Sequence, residues 1–412
     1  MRAKTIELMA PAGNFESLQS AIQAGANSVY FGVEQLNMRT KSTHNFTIDD
    51  LTEIVSRCSE NNVKSYLTLN TILYDHDIQL MKRIVDSAKE AGISAVIASD
   101  HAVLNYAKKI GQTVHISTQC NITNIDSVEF YANFADVMVL SRELSLLQVE
   151  TINKEIQRRE IIGPSGELIR TEIFGHGALC MAVSGKCYLS LHSNYSSANR
   201  GACVQNCRKS YIVTDKETGY ELEVDNEYIM SAKDLCTIDF LDKIIDAGVS
   251  VLKIEGRGRS ADYVYVTTKC YREAIDSILD DTYSQEKVIE WKEQLATVFN
   301  RGFWDGYYLG KLMGEWNDSD GSKATKRKVY VAKGRKFYDE VGAGEFLMEA
   351  QDLKVGDEIC ITGPTTGIIF STISELREEN KSVDFVKRGA LFTIKTPKKI
   401  RPSDKLYKLV DV

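Results

Sequence analysis

Features that mark other classes of protein are missing from this 412-residue chain. No apolar run approaches the ~20 residues of a membrane-spanning helix. The first residues lead directly into a strand-like segment, so we expect no signal peptide. Proline is scarce, and only Pro11 and Pro164 precede residue 364, which suits a helix-rich chain. We therefore predict a cytoplasmic protein with reduced cysteines.

Familiar catalytic motifs are missing as well. The chain has neither a His-Glu-x-x-His zinc motif nor a Gly-x-Ser-x-Gly turn, which removes two common peptidase signatures. The Gly-x-Gly-x-x-Gly fingerprint does not follow the first strand, where Ala10-Pro-Ala-Gly13 stands instead. This argues against a dinucleotide-binding sheet. A Cys/His dyad stays open, because its members need not be adjacent in sequence.

Charge is unevenly distributed along the chain. The net charge is −7, but residues 323–412 carry +5 and the remainder −12. The basic segment is either solvated surface or an appendage that helps to hold an anionic polymer.

Short apolar runs alternate with longer amphipathic segments over residues 1–270. The strand candidates are Ile6–Pro11, Ser28–Gly32, Val63–Leu69, Ala95–Ser99, Val114–Thr118, Val137–Ser141, Glu172–Gly175 and Val249–Ile254. Helical spacing lies between them, as in Asn14–Ala24 and Asp77–Ala91. Roughly eight βα units in a row predict a TIM-like (β/α) barrel rather than an open sheet.

Composition divides the rest of the chain. We predict a barrel domain over residues 1–315 with an insertion at about 178–236 that includes a hairpin around Tyr211–Glu223. A polar linker follows the barrel. From residue 328 to 412 the apolar period switches to two, which predicts a small all-β barrel.

Cysteines are concentrated in the predicted insertion. Five of the nine are Cys180, Cys187, Cys203, Cys207 and Cys236. Such a group in a reducing compartment suggests metal or redox chemistry. Four thiolates suit zinc or an iron–sulfur cluster, and the spacing does not decide between them. The alternative is a set of small buried apolar side chains, which is our interpretation of Cys58, Cys120, Cys270 and Cys360.

A barrel keeps its chemistry at the carboxyl ends of its strands. The residues predicted at that end are Asn70, Gln119, Arg142, His176 and Glu255. His176 is either a site residue, since its flanking glycines would let a ligand approach, or a satisfied histidine at the rim.

The last barrel strand ends in Lys253-Ile-Glu-Gly-Arg257. Lys253 and Glu255 point to the same side of a strand. They form either a buried ion pair or, with Arg257 and Arg142, a substrate clamp, because a guanidinium fork matches a carboxylate.

A long stretch carries a family resemblance, Glu172-Ile-Phe-Gly-His-Gly-Ala-Leu-Cys-Met-Ala-Val-Ser-Gly-Lys-Cys187. With Glu7-Leu-Met-Ala-Pro-Ala-Gly-Asn14 and Arg200-Gly-Ala-Cys-Val-Gln-Asn-Cys-Arg208, it resembles the collagenase-like U-thirty-two peptidase family. The resemblance covers nearly the whole chain. The terminal segment is similar to that family's C-terminal domain, which resembles the β-barrel of translation elongation factors.

The resemblance implies hydroxylation rather than proteolysis. Some members act in prephenate-dependent formation of 5-hydroxyuridine at the tRNA wobble position. Others act on a ribosomal RNA cytidine, or in ubiquinone synthesis with a [4Fe-4S] cluster. The length and tail of this chain are most similar to the tRNA branch. Its partner would be tRNA and its co-substrate prephenate. A collagenase-like peptidase and a zinc-bearing, non-catalytic RNA-binding factor are the alternatives.

The resemblance also suggests roles for single residues. The implied cluster ligands are Cys180, Cys187, Cys203 and Cys236, with Cys207 as the alternative ligand and zinc as the alternative metal. We assign catalytic roles to His176, Glu255 and Arg142, and substrate binding to Arg257, Asn70, Gln119 and Lys253. No membrane partner is expected, whereas a homologous partner subunit or a homo-oligomer is.

Overall fold

The computed structural model describes residues 5–40, 45–219, 221–222, 230–311, 313–318 and 321–412. The strands, numbered in chain order, are β1 (Glu7–Pro11), β2 (Ser28–Phe31), β3 (Lys64–Leu69), β4 (Ala95–Ala98), β5 (Val114–Ile116), β6 (Val137–Val139), β7 (Arg170–Ala178), β8 (Val213–Thr214), β9 (Glu221–Leu222), β10 (Asp234–Cys236), β11 (Val251–Ile254), β12 (Phe303–Trp304), β13 (Lys326–Tyr338), β14 (Ala343–Met348), β15 (Leu353–Lys354), β16 (Glu358–Gly363), β17 (Gly367–Thr372), β18 (Leu376–Glu378), β19 (Lys381–Val383), β20 (Phe385–Val386), β21 (Leu391–Lys395) and β22 (Lys405–Asp411).

The α-helices are α1 (Phe15–Gln23), α2 (Leu51–Ser59), α3 (Ile78–Ala91), α4 (His101–Ile110), α5 (Ile125–Tyr131), α6 (Leu146–Arg158), α7 (Leu189–Asn194), α8 (Leu241–Asp246), α9 (Ala261–Leu279) and α10 (Gln285–Ala296). Helix α4 shows why such segments are helical. The Asp100 side chain accepts the Ala102 N–H at its start, and Gly111 ends it in the left-handed conformation. None of the described helices is long and apolar enough to cross a membrane.

Eight parallel strands close into a barrel in the order β11, β1, β2, β3, β4, β5, β6, β7. Closure occurs at β11, where Val251 lies opposite Glu7 of β1 and Glu172 of β7. Each predicted strand coincides with a barrel strand, and the TIM-like fold class is confirmed. Outward-facing strand residues and the apolar faces of the helices form one core.

Strand β7 carries a bulge that redirects its carboxyl end. Against β11, Phe174 lies opposite Lys253 and His176 lies opposite Ile254, so Gly175 is an extra residue. An extra residue reverses the alternation of faces beyond it. His176 therefore points to the outer side of the barrel, as Ile254 does.

The predicted insertion contains α7 and the antiparallel hairpin β8–β9. Val213 pairs with Leu222, which confirms the predicted hairpin in its paired strands. Its residues 220 and 223, and residues 224–229 of the insertion, lie outside the described residues. Strand β10 then returns antiparallel to the end of β7.

The C-terminal strands form an antiparallel sheet in the order β17, β16, β22, β13, β14, β21, β18, β19, with a second ladder between β15 and β20. They enclose a hydrophobic cluster of their own. Gln23 of α1 links this region to the barrel, because its side chain donates to the Thr366 carbonyl at 2.8 Å and accepts the Ile368 N–H at 3.1 Å. Residues 319 and 320 of the predicted linker lie outside the described part of the chain.

Candidate functional site

A cavity of about 170 Å³ opens at the carboxyl ends of the barrel strands, beneath the insertion. Its basic lining residues are Arg39, Arg142, Arg208, Lys253 and Arg257. Among the described lining residues, Glu255 is the only carboxylate. The wall is therefore cationic and suits an anionic ligand.

Glu255 is held as an anion. Its Oε1 accepts from Arg39 Nη2 at 2.9 Å, and its Oε2 accepts from the Tyr30 hydroxyl at 3.0 Å. Burial alone would raise its pKa, but the charges of Arg39, Arg257 and Arg142 outweigh burial and lower the pKa to about 2. At neutral pH this carboxylate is an acceptor and not a proton donor.

Two arginines of the wall have unused donors. Arg257 Nη1 donates to Asn37 Oδ1 at 3.1 Å and to Thr68 Oγ1 at 2.8 Å. The Arg142 guanidinium lies over the Phe174 ring, with its Cζ 3.8 Å from the centroid. The Nε of both arginines is buried without a hydrogen-bond partner. Buried donors normally have partners, so the wall contains two unsatisfied donors.

The other predicted binding residues also line this wall. Lys253 Nζ donates to Glu172 Oε1 at 2.9 Å, so the buried ion pair of Lys253 is with Glu172 and not with Glu255. Asn70 lies just beyond the end of β3, and the Gln119 side-chain oxygen is buried without a partner. The structure thus brings Arg142, Arg257, Asn70, Gln119, Lys253 and Glu255 together around one cavity.

Four thiols of the insertion line the same cavity, those of Cys180, Cys187, Cys203 and Cys207. The pKa of Cys207 is raised, mainly by burial. The charge of Arg208 acts in the opposite direction, and the other three thiols add to the increase. In the described residues, no group of three His, Cys, Asp or Glu side chains is already arranged to hold a metal ion. The donor set nevertheless fits a soft metal group, since four sulfur ligands suit zinc or an iron–sulfur cluster.

His176 and Cys236 do not line this cavity. Because of the β7 bulge, His176 packs on the outer side of the barrel against Tyr263, Tyr271 and Phe303. Burial lowers its pKa to about 3. Cys236 lies opposite His176 in the β7–β10 ladder, and burial raises its pKa to about 11. The sequence placed His176 at the site because it ends a strand between two glycines, and the bulge places it outside the cavity.

Arg39, Arg208 and Tyr30 are site residues that sequence reasoning missed. The Tyr30 side chain points into the barrel interior because side chains alternate along β2, where Val29 and Phe31 point outward. The alternation of side chains along this strand could have predicted it. Arg39 lies in the loop after β2, which carries no recognisable motif. It is 216 residues away from Glu255 in sequence. Nothing in the local sequence indicated that contact.

A parallel barrel with a cationic cavity and four thiols at the carboxyl ends of its strands defines a TIM-barrel protein with an enzyme-type site. The cavity wall is cationic, and the four thiols lie beside it.

Comparison with known proteins gives the family. The model of peptidase family U32 matches residues 13–318, and the chain belongs to this family. A Porphyromonas gingivalis protein named collagenase is 55% identical over 99% of both chains. The tRNA hydroxylation protein P1 of Bacillus subtilis is 31% identical over 98% of this chain and 95% of its own. The 23S rRNA 5-hydroxycytidine C2501 synthase of Escherichia coli is 30% identical over 85% of this chain and 52% of its own.

Proposed function

We propose that this protein acts in the cytoplasm in tRNA hydroxylation and is required to form 5-hydroxyuridine at the wobble position. The observation that carries the proposal is the cationic cavity beside four thiols at the catalytic end of a barrel. Relatives named for tRNA and rRNA hydroxylation extend over most of this chain.

The residues that would hold a [4Fe-4S] cluster are Cys180, Cys187, Cys203 and Cys207. We prefer Cys207 to Cys236 because its thiol lines the cavity with the other three. When bound, such a cluster would supply electron transfer next to the substrate. Zinc is the alternative metal, and it supports no redox step.

The cavity is proposed to bind prephenate, a small dicarboxylate. Arg142 and Arg257 both line the cavity, and guanidinium groups bind carboxylates through paired hydrogen bonds. Glu255 would orient Arg39 in this pocket through their 2.9 Å ion pair. The basic residues 323–412 would contact tRNA phosphates. A related partner subunit stays a prediction.

Complementation tests the function directly. The gene for this protein would be expressed in a Bacillus subtilis strain that lacks its tRNA hydroxylation proteins, and tRNA nucleosides would be analysed by mass spectrometry. We expect 5-hydroxyuridine to reappear, and to be lost again in Arg142→Met and Cys203→Ser variants. Well-expressed protein that leaves the nucleoside pool unchanged would contradict the proposal.

A peptidase is the second candidate, because a relative 55% identical is named collagenase. The geometry favours it less. In the described part of the chain, no hydrogen bond joins a cysteine thiol to a histidine ring, so no Cys–His pair is formed there. Gelatin hydrolysis by the purified protein, lost in Cys180→Ala and unaffected by removal of iron, would support the peptidase instead.

A further inference from the structure

The insertion over the cavity has a one-sided charge pattern. From Ile173 to Thr214 the chain has no Asp or Glu, although 57 acidic residues in 412 correspond to about six in a stretch of that length. The same stretch contains Lys186, Arg200, Arg208 and Lys209. Lys186 and Lys209 are exposed. Arg200 is paired with Asp77 of the barrel, so Lys186 and Lys209 are the exposed cations of this segment that can attract a polyanion.

The same segment exposes large apolar side chains, among them Met181, Val183, Tyr188, Leu191, Tyr195 and Val204. Tyr195 is 95% exposed and Tyr188 is 75% exposed. Exposed aromatic rings beside unopposed cations are the chemistry with which proteins bind single-stranded nucleic acid, since rings stack on bases and cations contact phosphates.

The two tyrosines flank helix α7, which lies beside the cavity. Cys187, two residues before the helix, and Ala198, four residues after it, line the cavity wall. The helix is anchored by buried Ser190, whose Oγ lies 3.8 Å from Cys203 Sγ. Tyr188 and Tyr195 lie at its two ends, about 10 Å apart along the axis. That distance is the length of about three stacked nucleotides.

Tyr195 occupies a backbone conformation that bulky residues rarely adopt. Its φ is 50°, in the left-handed region, where glycine and asparagine are usual. The ring is exposed, so packing does not explain a large side chain at this strained position. A residue kept in such a conformation is typical of a functional site.

We infer that Tyr188 and Tyr195 form a stacking platform for the nucleotides that flank the target base of an RNA loop. Lys186 and Lys209 contact the phosphates of those nucleotides, and the target base enters the cavity. The inference rests on the proposed RNA hydroxylation and specifies how that substrate is held. Loops whose bases are unstacked are what proteins read in RNA.

Binding of a synthetic anticodon stem-loop RNA to the full chain tests this inference, measured by fluorescence anisotropy at fixed salt. Tyr195→Gly removes the ring, and glycine tolerates the left-handed backbone, so the variant should fold. We expect Tyr195→Gly and Tyr188→Ala each to weaken binding about tenfold. Tyr195→Phe, which keeps the ring, should bind like the unchanged protein. So should Phe130→Ala, which removes an exposed ring on α5.

The outcomes separate this inference from the function it rests on. If the unchanged protein binds the stem-loop and restores 5-hydroxyuridine, but both tyrosine variants bind equally well, the platform is wrong and the function stands. If the unchanged protein does neither, the proposed function itself fails and the platform with it. Unchanged RNA affinity with weakened binding to gelatin would assign the tyrosines to a protein ligand and overturn the inference.

Discussion

Carboxylates and basic residues are balanced differently at the two ends of the barrel interior. At the amino end, Glu7 accepts from the Tyr66 hydroxyl at 2.6 Å, and its carboxylate pairs with Arg170 at 3.1 Å and Lys64 at 3.2 Å. One carboxylate there collects three donors. At the carboxyl end, Glu255 is outnumbered by the basic residues of the cavity wall.

The difference separates a structural network from a binding site. Lys64 and Arg170 reach solvent, with side chains 52% and 38% exposed, so the amino end can relax when a partner is lost. At the cavity end, five basic side chains and a single carboxylate are found among the described lining residues. An excess of cations around a cavity favours an anionic ligand, which is why we assign function to that end.

The largest expected effect comes from the innermost pair. Glu172→Gln leaves the Lys253 ammonium buried without its counter-charge. We expect a loss of about 3–5 kcal/mol in the free energy of unfolding, measured by urea denaturation. Glu7→Gln should cost less, near the lower end of that range, since its two cations turn to water. Equal losses would show that the solvent exposure of Lys64 and Arg170 does not lower the cost of losing their partner.

Acid should destabilise both ends in the same pH window. Burial raises the pKa of Glu7, but Tyr66, Lys64 and Arg170 lower it to about 2, and the pKa of Glu255 is also about 2. A lowered pKa gives stability that is present above pH 4.5 and is lost as the pH falls towards 2.

For one carboxylate this shift corresponds to about 3 kcal/mol. Glu7→Gln and Glu255→Gln should each remove part of the acid dependence of the unfolding free energy. The double variant should remove the sum, because the sites are separate. A profile unchanged by both substitutions would contradict the assigned pairs.

Ligand binding should depend on the basic residues at the cavity end of the barrel and not on those at the amino end. Arg142→Met keeps a side chain over Phe174 but removes the charged donor. Prephenate binding, measured by calorimetry, should weaken about tenfold or more. The matched variant Arg170→Met at the amino end should leave the affinity unchanged. Loss of affinity in both variants, or in neither, would show that the cavity cations do not select the anion.

The barrel was predictable and part of its site was not. Apolar runs separated by helical patterns located all eight strands, because burial on both faces forces that pattern. The strand ends carried Asn70, Gln119, Arg142 and Glu255 to the cavity. The Gly175 bulge then moved His176 away, since a single extra residue reverses the face.

Which four of the five clustered cysteines lie together could not be predicted from the sequence either. Loops have no period, so the spacing of five thiols could not say which four line one cavity. Only the fold shows that Cys207 lies on the cavity wall, whereas Cys236 is buried in β10 next to β7. Arg39 was missed for a related reason, because its partner Glu255 is distant in sequence.

Iron and sulfide content of the protein purified without air tests the central claim most directly, that the thiols at the cavity end hold an iron–sulfur cluster. We predict iron and sulfide in the unchanged protein and in Cys236→Ser, and their loss in Cys207→Ser and Cys203→Ser. Protein without iron, or iron that survives Cys207→Ser and is lost in Cys236→Ser, would contradict the account.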